Sequence, residues 1–527
     1  MTSAKALRAR ALLAVAVLTA AALAVAAAWL RIAGTTRIPF WLDEGYSAYA
    51  AAKGFRFLWQ VVPLYETHPP FYYSLLRLWT LTFGDSLVAA RALGIACGLA
   101  TLPVAALAAR ELARWFPRAL RPVPLILAAL ALIALSPVLI DMARQVRPYP
   151  VMILVYATAL FALLRLGRIA AGERRIAPAA FALYLAALAL LLWLHNLGIL
   201  YGTALGLALL VLVLRRDLRR RDWILLIGGH LLVALIYLPA LAILLDQAPT
   251  WIHSTWLRFD AARLPARLTL LWAAPGQIAR YAGGALALLG VASLVRLRAG
   301  WRVALALLLL AALPVALSIL ISLLKAPVFI TRTMSPVAVP ALLLIAVGGG
   351  GWANAMRWLA LPILLAFAGS MAWTDSIQLH ARPMQNWYGA VAWLEQRYRP
   401  GDEIWSYPNE GALPLDYAAR DKGLAFIDRP IPTPVPTLDG GPGAWNPTGS
   451  RGVVSLPPAR LRALAQSPAA RAVPTIWLHR LGAHAYDKGD VLLRELAVGR
   501  VVVGRWTSGP IEIIGLRRRD LVPPGDH

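Results

Sequence analysis

Two adjacent carboxylates, Asp43 and Glu44, follow the first long apolar segment of the chain. A carboxylate just outside a membrane can accept the proton of an incoming hydroxyl group, which is the task of a general base in sugar transfer. Asp is also favoured before a helix, and residues 45–52 are predicted to form one. The residues alone therefore favour a structural role for the pair, since catalytic bases are a minority of carboxylates.

A His-Pro-Pro-aromatic run closes the same stretch of sequence. His68 precedes Pro69 and Pro70, which fix an extended turn and allow a helix to start. The aromatic residues that follow suit an amphipathic helix at a membrane interface. His68 could contact a phosphate or could cap the helix, and the two interpretations are equally supported by the residues.

Further candidate ligands lie at the ends of later apolar runs. Arginine is well suited to bind phosphate, although it also snorkels at membrane interfaces. Arg332 invites the same interpretation, whereas His195 has no partner at metal-site spacing. One short predicted loop supplies four candidates: Asp141, Arg144, Arg147 and Tyr149.

The elements that must position these residues are membrane helices. Of the 527 residues, 59% are hydrophobic, with a mean hydropathy of +0.63. A spanning helix needs about 20 apolar residues, and about eleven runs approach that length. They are residues 11–30, 87–109, 123–140, 150–166, 178–194, 199–214, 223–245, 277–295, 303–324, 335–349 and 358–373.

The charges predict the orientation of these helices. Basic residues are dense in the short loops 110–121, 165–175, 215–221 and 296–302, which the positive-inside rule assigns to the cytoplasm together with the N-terminus. The candidate residues then lie on the opposite, external side. A net charge of +26 in a soluble protein would suggest nucleic acid. Here helix orientation explains the charge, and no nucleic-acid partner is predicted.

After residue 373 the hydropathy drops, and the pattern predicts a small α/β domain. The predicted strands are 403–407, 475–479, 501–506 and 511–516, with helices at 387–399, 456–466 and 490–498 and a Pro/Gly-rich loop at 429–449. We therefore predict a membrane domain, residues 1–373, and an extracytoplasmic domain, residues 374–527. The lone Cys97 cannot form an internal disulfide. No cofactor or metal cluster is predicted, although a loosely held divalent cation would leave no signature.

Taken together, the motifs resemble the GT-C glycosyltransferases that use lipid-linked sugars. The similarity is greatest to the group of protein O-mannosyltransferases and aminoarabinose transferases, related to glycosyltransferase family 39. The segments WLDEGYSAYA, THPPFYYSLLRLW and ARQVRPYPVMILVYA occur in the family's order. LLWLHNLGILYG and TRTMSPVAVPALLL are similar to further family positions, so the resemblance covers about residues 38–349. Thr67-His68 replaces the Glu-Lys of aminoarabinose transferases, so donor binding is expected to depend on pH.

The resemblance implies an integral membrane enzyme of GT-C fold that transfers a single hexosyl or pentosyl unit. Its donor would be a polyprenyl-phosphate-linked sugar, and its acceptor a hydroxyl group of an envelope glycan, lipid or protein. The implied location is the bacterial cytoplasmic membrane, with the active site facing the periplasm. Asp43 would act as base in an inverting single displacement, assisted by Glu44. The residues implied for donor phosphate and substrate are His68, Asp141, Arg144, Arg147, Tyr149, His195 and Arg332.

Two other classes of function remain open at this point. A lipid or polysaccharide transporter or flippase would also have many spans, but such proteins usually show internal repeats and ionisable groups near the bilayer midplane. We find no repeat, and the polar groups collect in the predicted external loops. An O-antigen ligase-like transferase, which also uses a lipid donor, is the second alternative.

Overall fold

The computed structural model describes residues 3–214, 216–254, 257–351, 357–381, 383–437 and 455–522. The chain is mainly helical up to residue 380 and mixed after it. The helices are α1 Ser3–Ile32, α2 Leu42–Ala52, α3 Phe55–Gln60, α4 Phe71–Phe83, α5 Leu87–Trp115, α6 Pro122–Ala134, α7 Pro137–Ala143, α8 Tyr149–Glu173, α9 Pro178–Leu194, α10 Gly198–Val213, α11 Arg220–Ser254, α12 Leu264–Thr269, α13 Gln277–Val295, α14 Gly300–Leu324, α15 Ala338–Gly350, α16 Arg357–His380, α17 Trp387–Glu395, α18 Ala412–Asp421, α19 Pro458–Ala465, α20 Pro468–Ala472, α21 Ala483–Tyr486 and α22 Val491–Ala497. The strands are β1 Glu403–Tyr407, β2 Asp428–Pro430, β3 Thr475–Leu481, β4 Arg500–Ser508 and β5 Ile511–Arg518.

Eight helices in the described ranges are long and apolar enough to cross a membrane. The pair α6 and α7, bent by 58°, gives a ninth span if it is counted as one, and α9 and α10 are shorter apolar helices. These segments coincide with each of the predicted spans. The prediction of a polytopic α-helical membrane protein is therefore confirmed.

The chain forms two compact units, neither of which is a continuous segment. The bundle unit comprises Met1–Thr35, Arg91–Leu241 and Leu257–His380. The sheet unit comprises Thr36–Ala90, Ala242–Trp256 and Ala381–His527. The first predicted external loop thus belongs to the same unit as the C-terminal residues, and the boundary at residue 373 stays a prediction.

The bundle unit contains a close helix crossing between α13 and α15. A Cβ atom added at Gly348 would lie 1.9 Å from the carbonyl oxygen of Leu286, and one added at Gly290 would lie 2.3 Å from that of Leu344. Small residues allow membrane helices to approach until their backbones touch. Only glycine fits these two positions.

The sheet unit is built on five strands in the order β2-β1-β3-β5-β4. β1 pairs in parallel with β2 and β3, whereas β5 is antiparallel to β3 and β4. Alternate residues of a strand point to opposite faces, so Trp405 and Tyr407 enter one core cluster and Ile404 enters the other. The predicted α/β fold of this region is confirmed.

Several element boundaries differ from the predictions. The helix predicted at 45–52 begins at Leu42, and α11 continues to Ser254, into a predicted loop. The helix α18 and the strand β2 were not predicted. Some residues of the predicted loops lie outside the described residues. They are residues 438–449 of the Pro/Gly-rich loop and residues 215, 255 and 256 of two other loops.

The amphipathic helix predicted after the prolines is α4, which starts directly after Pro70. Its residues Tyr72 and Leu76 are buried, whereas Leu78 and Phe83 are more than half exposed. An exposed apolar face of this kind is typical of helices at a membrane interface. The prediction of an amphipathic helix after the prolines agrees with α4, and its external location stays a prediction.

Candidate active site

The carboxylate pair lies inside the first turn of α2. Trp41 occupies the N-cap position, and its backbone N–H donates a hydrogen bond to Oε2 of Glu44 at 3.3 Å. Glu44 therefore fixes the start of the helix. Asp43 is only 8% exposed, and its place near the helix N-terminus stabilises negative charge on its carboxylate.

A cluster of tyrosines holds α2 in place within the sheet unit. The hydroxyl groups of Tyr46 and Tyr65 lie 2.6 Å apart, and the Tyr46 ring meets the Tyr73 ring edge to face at 5.7 Å. Ser47 donates a hydrogen bond to the carbonyl oxygen of Asp43 at 2.9 Å. These contacts join α2 to α4 and restrict the position of the carboxylate pair.

His68 is paired with a carboxylate that the sequence analysis missed. Its Nδ1 lies 2.7 Å from Oε1 of Glu66, a residue that is almost fully buried. The same oxygen accepts a bond from the backbone N–H of His68 at 3.4 Å. Glu66 thus sets the orientation of the imidazole ring. Its position two residues before the His-Pro-Pro run was the available signal.

In the bundle unit, three candidate residues come together: Arg147, Tyr149 and His195. The guanidinium of Arg147 lies 5.8 Å from the centre of the Tyr149 ring, and the rings of Tyr149 and His195 are 6.1 Å apart. All three side chains are buried. Nδ1 of His195 accepts the backbone N–H of Leu197 at 3.0 Å, which makes the ring a neutral imidazole protonated at Nε2.

Arg144 contacts the first helix. One nitrogen of its guanidinium lies 2.5 Å from the carbonyl oxygen of Leu30 and 2.6 Å from that of Ala33. Unpaired carbonyl groups at a helix end favour cationic partners. Arg144 therefore caps the end of α1. Asp141 lies on α7 with its surface exposed and accepts a hydrogen bond from the Gln145 amide at 3.2 Å.

Arg332 lies on a 3-10 helix, Thr331–Val337, that packs against α7 and α8. The hydroxyl group of Tyr201 donates to the carbonyl oxygen of Thr333 at 2.5 Å and anchors this segment. Arg332 is half-buried. The segment thus brings Arg332 to the helices that flank Arg147.

A buried ionic group in the bundle unit was also missed from the sequence. Arg31 is fully buried at the end of α1 and donates to the carbonyl oxygens of Ile133 and Ala134 at 3.0 and 3.1 Å. Asp375 on α16 is 2% exposed and lies within the charge field of Arg31 and Arg144. Both of its carboxylate oxygens are buried, and neither accepts a hydrogen bond from the described residues. Nothing in the local sequence relates residue 375 to residue 31.

The sheet unit contains a second polar group, enclosed between strands. Ser406 Oγ lies 2.8 Å from Oδ1 of Asp428 and 2.9 Å from Nδ1 of His479. Burial lowers the pKa of His479 to about 3. Burial, and then the neighbouring Asp416 carboxylate, raises the pKa of Asp428 well above its usual range. Ser406 and His479 are fully buried, so this chain of groups joins β1, β2 and β3 rather than meeting a substrate.

The described ranges contain no group of three or more His, Cys, Asp or Glu side chains that could hold a metal ion. Metal dependence therefore stays a matter for experiment.

Comparison with solved structures identifies the fold. ArnT from Cupriavidus metallidurans in the apo state matches with a TM-score of 0.58 and 15% identity over 96% of this chain and 98% of that one. The chain has a GT-C fold. ArnT bound to undecaprenyl phosphate shares this GT-C fold at a TM-score of 0.56 and 15% identity, over 96% of this chain and 98% of that one.

A second GT-C structure agrees with the first. The archaeal oligosaccharyltransferase AglB from Archaeoglobus fulgidus, in complex with an inhibitory peptide and a dolichol-phosphate, matches at a TM-score of 0.54 and 11% identity. The match covers 97% of this chain and 75% of that one. No family sequence model and no curated protein sequence matches the chain. The resemblance in fold predicted from the motifs is confirmed.

Proposed function

We propose that this protein is a membrane glycosyltransferase that moves one sugar from a polyprenyl-phosphate donor to an acceptor hydroxyl group on the extracytoplasmic face. One observation carries this proposal. Asp43, the residue of the motif that we propose as the general base, is almost buried. It lies in the first turn of a helix whose start Glu44 fixes. A rigid, partly dehydrated carboxylate suits proton abstraction. The GT-C fold, found in ArnT with undecaprenyl phosphate bound, supports the type of donor.

The reaction we propose is a single displacement. The acceptor hydroxyl gives its proton to Asp43, and its oxygen forms a bond to the anomeric carbon of the sugar. The bond between that carbon and the phosphate oxygen breaks, and polyprenyl phosphate leaves with additional negative charge. Attack opposite the leaving group inverts the anomeric configuration.

Cationic side chains stabilise the charge that develops on the leaving phosphate. We assign this role first to Arg147, whose guanidinium is buried and lies 5.8 Å from the centre of the Tyr149 ring. His68, when protonated, can donate its second ring N–H to a phosphate while Glu66 balances its charge. Tyr149 and His195 position Arg147 through their ring contacts.

The test is the variant Asp43→Asn in the full-length protein. Loss of a general base typically lowers a rate by about a hundredfold or more. We expect that loss in the transfer of labelled sugar from undecaprenyl-phosphate donors to the envelope fraction of the source organism. Binding of undecaprenyl phosphate, measured by native mass spectrometry, should be unchanged.

The matched control is Asp520→Asn, which removes an exposed carboxylate of the same unit that is paired with Arg518. It should transfer sugar at the normal rate. Near-normal transfer by Asp43→Asn would contradict the assignment of Asp43 as base. Loss of lipid binding in that variant would indicate damage to the fold instead.

A further inference from the structure

A cavity of about 250 Å³ lies within the sheet unit, apart from the residues assigned above. Its walls come from the segment before α2, the residues just before and at the start of α5, and the helices α17 and α18. The cavity is smaller than the roughly 300–1,000 Å³ typical of sites for drug-sized ligands. It therefore has room for one small ring. The residues that define its chemistry are Phe40, Asp85, Tyr388, Tyr417, Arg420 and Asp421.

Aromatic side chains form the apolar part of the cavity. Phe40 is 3% exposed, and its ring meets that of Tyr417 edge to face at 5.4 Å. Tyr388 contributes a third ring and is half-buried. Flat aromatic surfaces at fixed angles suit the C–H faces of a sugar ring, which are apolar and of similar width.

Carboxylate acceptors and a guanidinium donor surround these rings. The hydroxyl group of Tyr388 donates to Oδ2 of Asp421 at 2.5 Å, and Arg420 lies 3.4 Å from Oδ2 of Asp85. Carboxylates accept hydrogen bonds, and a guanidinium donates several in a fixed plane. A ligand with adjacent hydroxyl groups, each of which can donate and accept, can hydrogen-bond to the carboxylates and to the guanidinium.

The charges select against an ionic ligand. Arg420 lies 4.7 Å from the centre of the Tyr417 ring, and Lys422 lies 4.5 Å from that of Tyr388. These two cations balance Asp85 and Asp421, so the group is neutral as a whole. The protein's own cations already make the cation–π contacts that an ammonium ligand would need. A phosphate would meet two carboxylates.

We propose that this cavity binds one neutral sugar ring of the acceptor. That the sugar belongs to the acceptor rests on the proposed function. That a sugar ring binds here rests on the cavity itself. The cavity and Asp43 share their supporting elements: Phe40 precedes α2 by two residues, and a Cβ atom added at Gly45 of α2 would lie 3.3 Å from the backbone of Pro414 on α18. Tyr417 and Arg420 belong to that same α18. A sugar held here is thus held by the helices that position the base.

The experiment is saturation-transfer NMR on the full-length protein in a detergent without a sugar headgroup. The probes are methyl α-D-mannopyranoside, methyl β-D-glucopyranoside and methyl β-D-xylopyranoside, with choline chloride and sodium methyl phosphate, whose methyl protons are observable, as ionic comparators. We expect saturation of the ring protons of at least one glycoside and of neither ion. In Arg420→Met the signal should fall severalfold.

The matched control is Arg397→Met, since the Arg397 guanidinium lies 4.7 Å over the Trp393 ring in the same unit but does not line the cavity. It should leave the signal unchanged. The proposal is overturned if no glycoside is saturated, if choline or phosphate binds instead, or if the two arginine variants behave alike.

Two further measurements are needed. One distinguishes an acceptor sugar from a donor sugar, and the other separates the sugar site from the proposed function. A binding glycoside should inhibit transfer competitively against the acceptor and not against the donor, and the reverse would assign the cavity to the donor sugar. Glycoside binding should persist in Asp43→Asn. Normal sugar transfer by Asp43→Asn would contradict the proposed function but would not contradict the sugar site. If Asp43→Asn is defective in transfer but the protein binds no glycoside, the sugar site in the cavity is wrong and the proposed function still stands.

Discussion

The arginines near α7 show how contacts distinguish residues of the same type. Arg144 and Arg147 are three positions apart, and both were predicted to bind phosphate. Arg144 donates to two carbonyl oxygens at the end of α1, whereas Arg147 lies beside Tyr149 in a buried group with His195. This buried position beside aromatic rings supports our proposal that Arg147 binds the donor phosphate.

This assignment predicts the effect of Arg147→Ala. Loss of a hydrogen bond to a charged group costs about 2 kcal/mol, or roughly thirtyfold in binding. We expect kcat/KM for the donor to fall by about that factor or more and the KM for the acceptor to stay nearly constant, as measured by steady-state transfer kinetics.

The control for that measurement is Arg165→Ala, an exposed arginine on α8, the helix that follows Arg147 in sequence. It should change neither constant. A change by the same factor in both constants of Arg147→Ala would contradict a phosphate-binding role.

Residue identity was predictable where a motif places it, whereas the partners of these residues were missed both near and far in sequence. Asp43 and His68 were found from their motifs. Glu66 was missed because residues two apart in an irregular loop have no fixed geometry. Asp375 was missed because only the packing of helices brings it near Arg31. Charge pairing across the bundle leaves no local pattern.

At the scale of elements, the helix pair α13 and α15 depends on two glycines. Their backbones are so close that a methyl group at Gly348 would overlap the carbonyl oxygen of Leu286. Overpacking a tight contact typically costs about 1–3 kcal/mol. A contact between backbones cannot be relieved by a rotamer change, so the helices must separate.

We therefore expect Gly348→Ala to lower the thermal stability of the purified protein by several degrees. Gly369→Ala is the control, since a Cβ atom at that position on α16 meets nothing within 4 Å. Alanine is the better helix former by about 1 kcal/mol, so Gly369→Ala should be neutral or slightly stabilising. Differential scanning fluorimetry checks both, and equal melting temperatures for the two variants would contradict the close crossing.

Elements were predictable from the sequence in proportion to the length of their pattern. Long apolar runs identified the spanning helices, because a bilayer demands about 20 apolar residues in a row. The helix α18 and the strand β2 were missed. α18 carries a mixed pattern and begins next to a proline and a glycine, and β2 has only three residues, Asp428–Pro430. Pairing with β1, rather than its own sequence, makes that segment a strand.

At the scale of the whole molecule, the orientation in the membrane is a prediction from the charge of the loops, and it is open to test. In a Cys97→Ala background, Arg175→Cys places a single thiol in a predicted cytoplasmic loop, and Lys488→Cys places one in the sheet unit. Both positions are exposed. We expect a membrane-impermeant maleimide to label Lys488→Cys in spheroplasts and to label Arg175→Cys only after lysis.

The opposite labelling pattern would reverse the orientation and place Asp43 on the cytoplasmic face. Such a result would contradict an extracytoplasmic site while leaving the GT-C fold intact. Labelling of both thiols in sealed spheroplasts would indicate leakage, which the unsubstituted Cys97→Ala background and a cytoplasmic marker protein detect.

The ties between α1 and the rest of the bundle bear on how the protein can be processed after synthesis. Arg31 bonds to the carbonyl oxygens of Ile133 and Ala134, and Arg144 bonds to those of Leu30 and Ala33. Removal of the first helix would take away the Arg31 guanidinium from the carbonyl oxygens of Ile133 and Ala134 and the Leu30 carbonyl oxygen from Arg144. We therefore expect cleavage at this helix to destabilise the bundle. Affinity tags intended for release are therefore better placed ahead of the helix than within it.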